Sequence, residues 1–244
     1  EYGYTEVNLN LGCPSGTVAA KGKGAGFLED TEKLARFLGE VSEGMERENL
    51  HFSIKTRVGV ESEEEFQTLL GLYNQCPLTE LIIHPRVLKD FYKYNVRMNA
   101  FKEGFEKSRH SVCYNGDIFR RKDYDRLVKE YPDLDKIMMG RGIMMNPFLM
   151  EEIADGTSQK VSGKMSAARK ADRLEKFHRL LCDGYTHVMS GDRPVLFKMK
   201  ELWFYLAWSF ENSEKYEKKI RKAQHLSDYR LVVRQLFTEL ELNA

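Results

Sequence analysis

Five short runs with strand character alternate with helical patterns over the first 140 residues, and this alternation constrains the fold more than any other feature. The runs are "TEVNLNL" (5–11), "HFSIKTR" (51–57), "TELIIHP" (79–85), "SVCYNG" (111–116) and "DKIMMG" (135–140), starting 24 to 46 residues apart. Between them, "DTEKLARFLGEVSEGMERE" (30–48) repeats apolar residues at 34, 37, 38, 41 and 45, with Asp30 and Thr31 placed to cap it. "SEEEFQTLLGLYNQC" (62–76) opens on Ser62 and three glutamates, which suit a helix N-terminus, and "RRKDYDRLVKEYPD" (120–133) closes at a proline. Strand–helix repetition at this spacing predicts βα units and a parallel sheet. Most of the strands are expected to be apolar on both faces, as a covered parallel sheet requires.

The pattern changes after residue 156. "TSQKVSGKMS" (157–166) reads as a linker, and helices are expected over 166–189, 195–212, 214–224 and 226–242. The rings of "FKMKELWFYLAWSF" (197–210) read as the core of a small helical bundle. Two domains follow, 1–156 and 157–244. Charge divides along the same line: residues 156–244 carry 17 Lys and Arg against 11 Asp and Glu, whereas 1–155 carry 21 against 26. A basic helical part on an acidic body suits a polyanionic partner.

No apolar run reaches the roughly 18 residues of a membrane helix, and no signal peptide is visible. The four cysteines, Cys13, Cys76, Cys113 and Cys182, form no CxxC pair and read as reduced thiols of a cytosolic protein, with no metal site. The chain opens on Glu1 rather than Met, which suggests a start inside a longer protein.

Polar residues and glycines gather where the strands end: Asn10 and Cys13, Lys55 and Arg57, His84 and Arg86, Asn115 and Asp117, Gly140 and Arg141. In a βα barrel that end carries the active site. Cys13 stands in a Gly-Cys-Pro turn just past a strand, a setting that favours a working thiol, nucleophile or proton donor; the other three cysteines read as structural. "GKGAGF" (22–27) lies ten residues past its strand, too far for a dinucleotide fingerprint, and suits a flexible loop passing close to a ligand. Gly140 and Arg141, with Asn115, Gly116 and Asp117 before them, suit a phosphate grip. Lys55 can hold charge on a reduced ring, and His84 can hydrogen-bond ring or phosphate atoms.

The ordered motifs "NLGCP", "GxGAGFL", "IKTR", "HPR", "YNGDI" and "MMGRGIMMNPFL" resemble those of the tRNA-dihydrouridine synthases across essentially the whole chain, including "MKELWFYL" in the helical tail. The resemblance implies an α/β fold of TIM (β/α)8 type, about five of whose eight βα units lie in this chain, followed by an all-helical tRNA-binding domain. It implies FMN as cofactor, NADPH or NADH as transient reductant, and tRNA as substrate for reduction at the uridine C5–C6 bond. Cys13 would give the proton to C5 while hydride reaches C6. Lys55, His84, Asn115, Gly116, Asp117, Gly140 and Arg141 would line the flavin, and Asn10, Arg57 and Arg86 would hold the base or flavin edge. The expected enzyme is a cytoplasmic monomer when full length, without metal or membrane. Two departures stand out: Pro85 replaces the usual glycine of His-Gly-Arg, and three strands that the family places before "TEVNLNL" are absent. About 70 or more further N-terminal residues are therefore expected, at roughly 25 residues per βα unit. The alternatives are an FMN barrel oxidoreductase acting on a free pyrimidine or other small molecule, and a non-catalytic RNA-binding relative, which the presence of Cys13 and Lys55 disfavours.

Overall fold

The computed structural model describes residues 3–157 and 166–243. The chain divides into two compact units: residues up to 117 with 127–139, and 118–126 with 140 onward.

In the first unit, β1 (Glu6–Leu11), β2 (His51–Gly59), β3 (Leu78–Val87), β4 (Ser111–Tyr114) and β5 (Lys136–Ile137) form one parallel sheet in chain order. Parallel neighbours need crossovers. The first contains α1 (Gly16–Ala19), a 3-10 helix (Gly24–Glu29) and α2 (Thr31–Arg47); the next three contain α3 (Glu65–Tyr73), α4 (Met98–Lys107) and α5 (Arg121–Glu130). The α/β organisation thus matches the sequence periodicity. Asp30 caps α2, its carboxylate accepting from the Lys33 N–H at 2.9 Å. Glu65, the first residue of α3, accepts from the backbone N–H groups of Val60, Glu61 and Ser62, which turns 62–64 into a cap rather than helix.

The register corrects the expectation of strands apolar on both faces. Side chains alternate across a strand. One face of β2 and β3 carries Phe52, Ile54, Val58, Leu81, Ile83 and Val87, all buried. The other carries Ser53, Lys55, Arg57, Glu80, Ile82, His84 and Arg86, continued on neighbouring strands by Asn10, Cys113 and Lys136. Most polar groups on this face are paired with one another, as burial demands. Asn8 Nδ2 donates to Ser53 Oγ (2.9 Å), Ser53 Oγ donates to Glu6 Oε1 (2.6 Å), and Lys136 Nζ pairs with Glu80 at 2.7 Å.

Helix α4, which periodicity alone does not reveal, supplies much of the core. Phe101 meets Tyr114 and Tyr131 edge-on, at ring separations of 4.8 and 5.1 Å. Gly104 lets α4 lie against the sheet: a Cβ there would stand 2.5 Å from Ile83 Cδ1.

The second unit contains α6 (Arg141–Met145), α7 (Leu149–Thr157), α8 (Ala167–Val188), α9 (Asp192–Leu206), α10 (Glu214–Lys222) and α11 (Leu226–Glu239), with an isolated antiparallel bridge between Phe210 and Leu242. The linker expected over 157–166 falls, apart from its end residues, outside the described residues. Met199, Leu202, Trp203 and Leu206 of α9 pack with Tyr216, Ile220, Tyr229 and Leu236. The expectation that all the rings of 197–210 are core is corrected: Phe197, Phe204 and Trp208 are exposed. They recur at intervals of seven and four, Phe197 and Phe204 on α9 and Trp208 in the 3-10 turn that follows it. Buried beneath, Trp203 Nε1 donates to the Tyr229 hydroxyl at 2.7 Å, and His178 Nε2 lies 2.5 Å from the same oxygen. Among the described residues no helix is long and apolar enough to cross a membrane.

Candidate active site

Cys13 follows β1 directly, and its backbone is held from both sides. The carbonyl of Gly12 accepts from Arg57 Nε at 3.0 Å, and the carbonyl of Cys13 accepts from the Ala25 N–H at 3.0 Å. Asn10 Oδ1 accepts from the Gly12 N–H at 3.0 Å, closing the turn. The thiol is free and half-buried. The flexible glycine loop expected over 22–27 is instead a turn leading into a 3-10 helix packed on this cysteine. Gly24 has φ +56°, and a Cβ on it would lie 2.9 Å from both the Cβ and the carbonyl oxygen of Cys13. The glycine serves a left-handed backbone and a close approach that any side chain would block.

Lys55 is the register partner of Asn10, and a Cβ on Gly12 would stand 3.5 Å from Lys55 Nζ. Its ammonium makes no hydrogen bond or ion pair among the described residues. Burial, then the neighbouring Arg57 charge, pulls its pKa below the usual lysine value. Arg57, one register step further, is fully buried. Besides Gly12, it donates to the carbonyls of Val87 (Nη1, 2.8 Å) and Phe91 (Nη2, 2.8 Å), and its guanidinium lies 5.3 Å from the centre of the Tyr92 ring.

Beside Arg57 in the register is His84. Burial, followed by the charges of Arg57, Lys55 and Arg86, pushes its pKa down to about 3, so the imidazole is neutral at working pH. Its Nε2 is 3.4 Å from Arg86 Nη1. Arg86 is buried as well, and both terminal nitrogens grip the Asp117 carboxylate while Nε donates to the Tyr94 carbonyl at 2.7 Å. Asn115 Nδ2 donates to the Met138 carbonyl at 2.9 Å. A Cβ on Gly116 would come within 2.0 Å of the Tyr114 hydroxyl, so only glycine fits there.

The first unit therefore gathers Asn10, Cys13, Lys55, Arg57, His84, Arg86, Asn115, Gly116 and Asp117 at the C-terminal ends of its strands. Gly140 and Arg141 open α6 in the second unit, where Gly140 is the N-cap and the Arg141 guanidinium lies 5.2 Å from the Phe119 ring centre. The motif reading passed over one element, the segment 87–97. Asp90 takes two hydrogen bonds from Arg97, each 3.0 Å, and the Arg97 N–H donates to the Pro85 carbonyl at 2.7 Å. Pro85 thus keeps the one backbone hydrogen-bonding group it has in use. The signal for this segment was the aromatic run "FYKYNVR" (91–97) after the HPR motif. No group of three or more His, Cys, Asp or Glu side chains suits a metal among the described residues.

The chain is similar to proteins of three bacteria. A probable tRNA-dihydrouridine synthase of Staphylococcus epidermidis is 31% identical over 189 residues, covering 73% of this chain and 56% of the relative. Its counterpart in Staphylococcus aureus is 31% identical over 156 residues, 62% of this chain and 46% of the relative. A probable tRNA-dihydrouridine synthase 2 of Bacillus subtilis is 31% identical over 158 residues, 62% and 47% respectively. The chain spans about half the length of the curated relatives it matches. The model of the dihydrouridine synthase (Dus) family matches residues 1–239, nearly the whole chain that carries this thiol, lysine and histidine, and the protein belongs to that family.

Proposed function

We propose that this chain carries the catalytic machinery of an FMN-dependent tRNA-dihydrouridine synthase that reduces the uridine C5–C6 double bond with NADPH or NADH. The observation that carries the reading is a backbone-clamped, half-buried Cys13 beside Gly12, whose Cα faces a Lys55 ammonium that has no partner among the described residues. An unpaired, partly desolvated cation calls for an anion. The donor set therefore fits a flavin, whose reduced ring and phosphate are both anionic; when bound, FMN supplies the hydride.

Lys55 holds negative charge on the ring, and neutral His84 offers a hydrogen bond without adding charge. Asn115, Gly116 and Asp117 line the same strand ends, with Asp117 acting through Arg86. Gly140 and Arg141 are offered to the phosphate. Cys13 gives its proton to C5 of the uracil ring, because hydride delivery to C6 leaves a carbanion-like centre that needs an acid. Asn10, Arg57 and Arg86 order the base pocket. A base in folded RNA must leave its stack to reach such a site. In this reading the sheet is part of a (β/α)8 barrel, 1–156 is its catalytic portion, and the basic residues 157–244 form the tRNA-binding helical domain. The full-length enzyme acts as a cytoplasmic monomer.

The test uses the full-length protein and tRNA from a strain lacking its gene. Dihydrouridine is expected at a defined position with NADPH. Cys13→Ala should retain FMN and lose about 100-fold or more in product formation, the scale of a positioned acid. Oxidation of NADPH with free pyrimidines but not tRNA would replace the reading with a small-molecule reductase.

A further inference from the structure

We infer that Arg57 is a positioning residue: its guanidinium locks the turn that presents Cys13 to the segment following β3. Three of its hydrogen bonds run to main-chain oxygen, to Gly12 on one side and to Val87 and Phe91 on the other, and the Tyr92 side chain engages it as well. A side chain exposed by only 1% would ordinarily be given a carboxylate, since a buried cation is costly. Here no carboxylate is in direct contact: three carbonyl dipoles and Tyr92 take that place, with the Asp90 charge adding a weaker attraction. Such an arrangement fixes geometry.

The Gly12 carbonyl belongs to the peptide unit that ends at the Cys13 nitrogen. Holding that oxygen sets the plane of the peptide and hence the direction of the Cys13 Cα–Cβ bond. The second handle is the Ala25 N–H on the Cys13 carbonyl. With both in place the Cys13 Cα–Cβ bond has one direction; with the first released, the turn pivots on the second. Three donors spread over a planar fork can reach three oxygens on two segments, and a lysine ammonium, a single point on a flexible stem, cannot hold all of them. This differs from a direct substrate contact, which the resemblance implies for Arg57.

The activity arm of the test rests on the proposed function; the other two arms do not. In full-length protein, Arg57→Ala and Arg57→Lys are compared with wild type by amide hydrogen exchange at Ala25 and by the rate at which iodoacetamide alkylates Cys13 without substrate. The turnover of tRNA is measured alongside. In Arg57→Ala, exchange at Ala25 should accelerate about tenfold, which corresponds to loss of about 1.4 kcal/mol of local protection. Cys13 alkylation should rise several-fold, and kcat should fall roughly 100-fold with KM little changed, as for a misplaced catalytic group. Arg57→Lys should recover part of each and remains the decisive variant if the alanine protein does not fold. Unchanged exchange and alkylation would overturn the inference, and a raised KM beside them would make Arg57 a substrate contact. A wild type that forms no dihydrouridine would sink the proposed function while exchange and alkylation still decide Arg57.

Discussion

Arg86 and Asp117 stand 31 positions apart in the chain. The fold makes them one unit, a buried guanidinium gripped at both terminal nitrogens by a carboxylate that is 25% exposed. Asp117→Asn would leave the Arg86 charge buried without its counter-charge. The expected loss is about 3 kcal/mol, the low end for such breakage because Asp117 keeps some solvent; a shift in urea midpoint with unchanged slope would measure it. An unshifted midpoint would mean that His84 and the Tyr94 carbonyl suffice. Cys13 and Lys55 were legible because their chemistry resides in single side chains at strand ends. The Arg86–Asp117 pair was not, because nothing local links a residue on β3 to one past β4. The same holds for the lowered pKa of His84, which depends on burial and then on three cations contributed by two strands. Its imidazole should stay neutral to about pH 4 in a 15N NMR titration, whereas titration near 6.5 would show that the pocket is wet.

At the scale of elements, glycines separate two kinds of position. Gly39 lies in α2 with open space where a Cβ would go, so Gly39→Ala should stabilise by about 0.5–1 kcal/mol through helix propensity. Gly24→Ala meets a positive φ and two Cys13 atoms at 2.9 Å; it should cost about 1–2 kcal/mol and disturb the thiol as well. Thermal midpoints moving in the same direction for both variants would contradict this reading. Strand positions and the long helices were readable from period alone. Helix α4 was not: "MNAFKEGFEK" has a glycine in its middle, and that glycine is explained only by Ile83 of the sheet and Phe66 of α3, against which it lies. The polar face was written in "SIKTR" and "ELIIHPR" as alternation, but the apolar run Leu81, Ile82 and Ile83 gave the appearance of a strand buried on both sides.

For the molecule as a whole, the buried histidine of the helical unit makes stability depend on pH. His178, beside Trp203 and Tyr229, has its pKa pushed down to about 4 by burial, with Asp183 working weakly the other way. Unfolded, it titrates near 6.5, so the unfolded chain binds the proton first. Its contribution is intact above about pH 6.5 and is lost as pH falls toward 4, by about 3 kcal/mol in all. Denaturant midpoints measured across that window should drop for wild type and flatten for His178→Gln; equal slopes would place the titration elsewhere. The two-faced sheet has a consequence of its own. Beneath the helices, the sequence answers to volume, and a saturating mutational library should accept exchanges among aliphatic residues there while rejecting any polar one. Across the same strands, at Ser53, Lys55, Arg57, Glu80, His84 and Arg86, that tolerance inverts. Size matters less than charge and hydrogen-bonding capacity, so neighbouring codons of one strand should evolve under opposite rules.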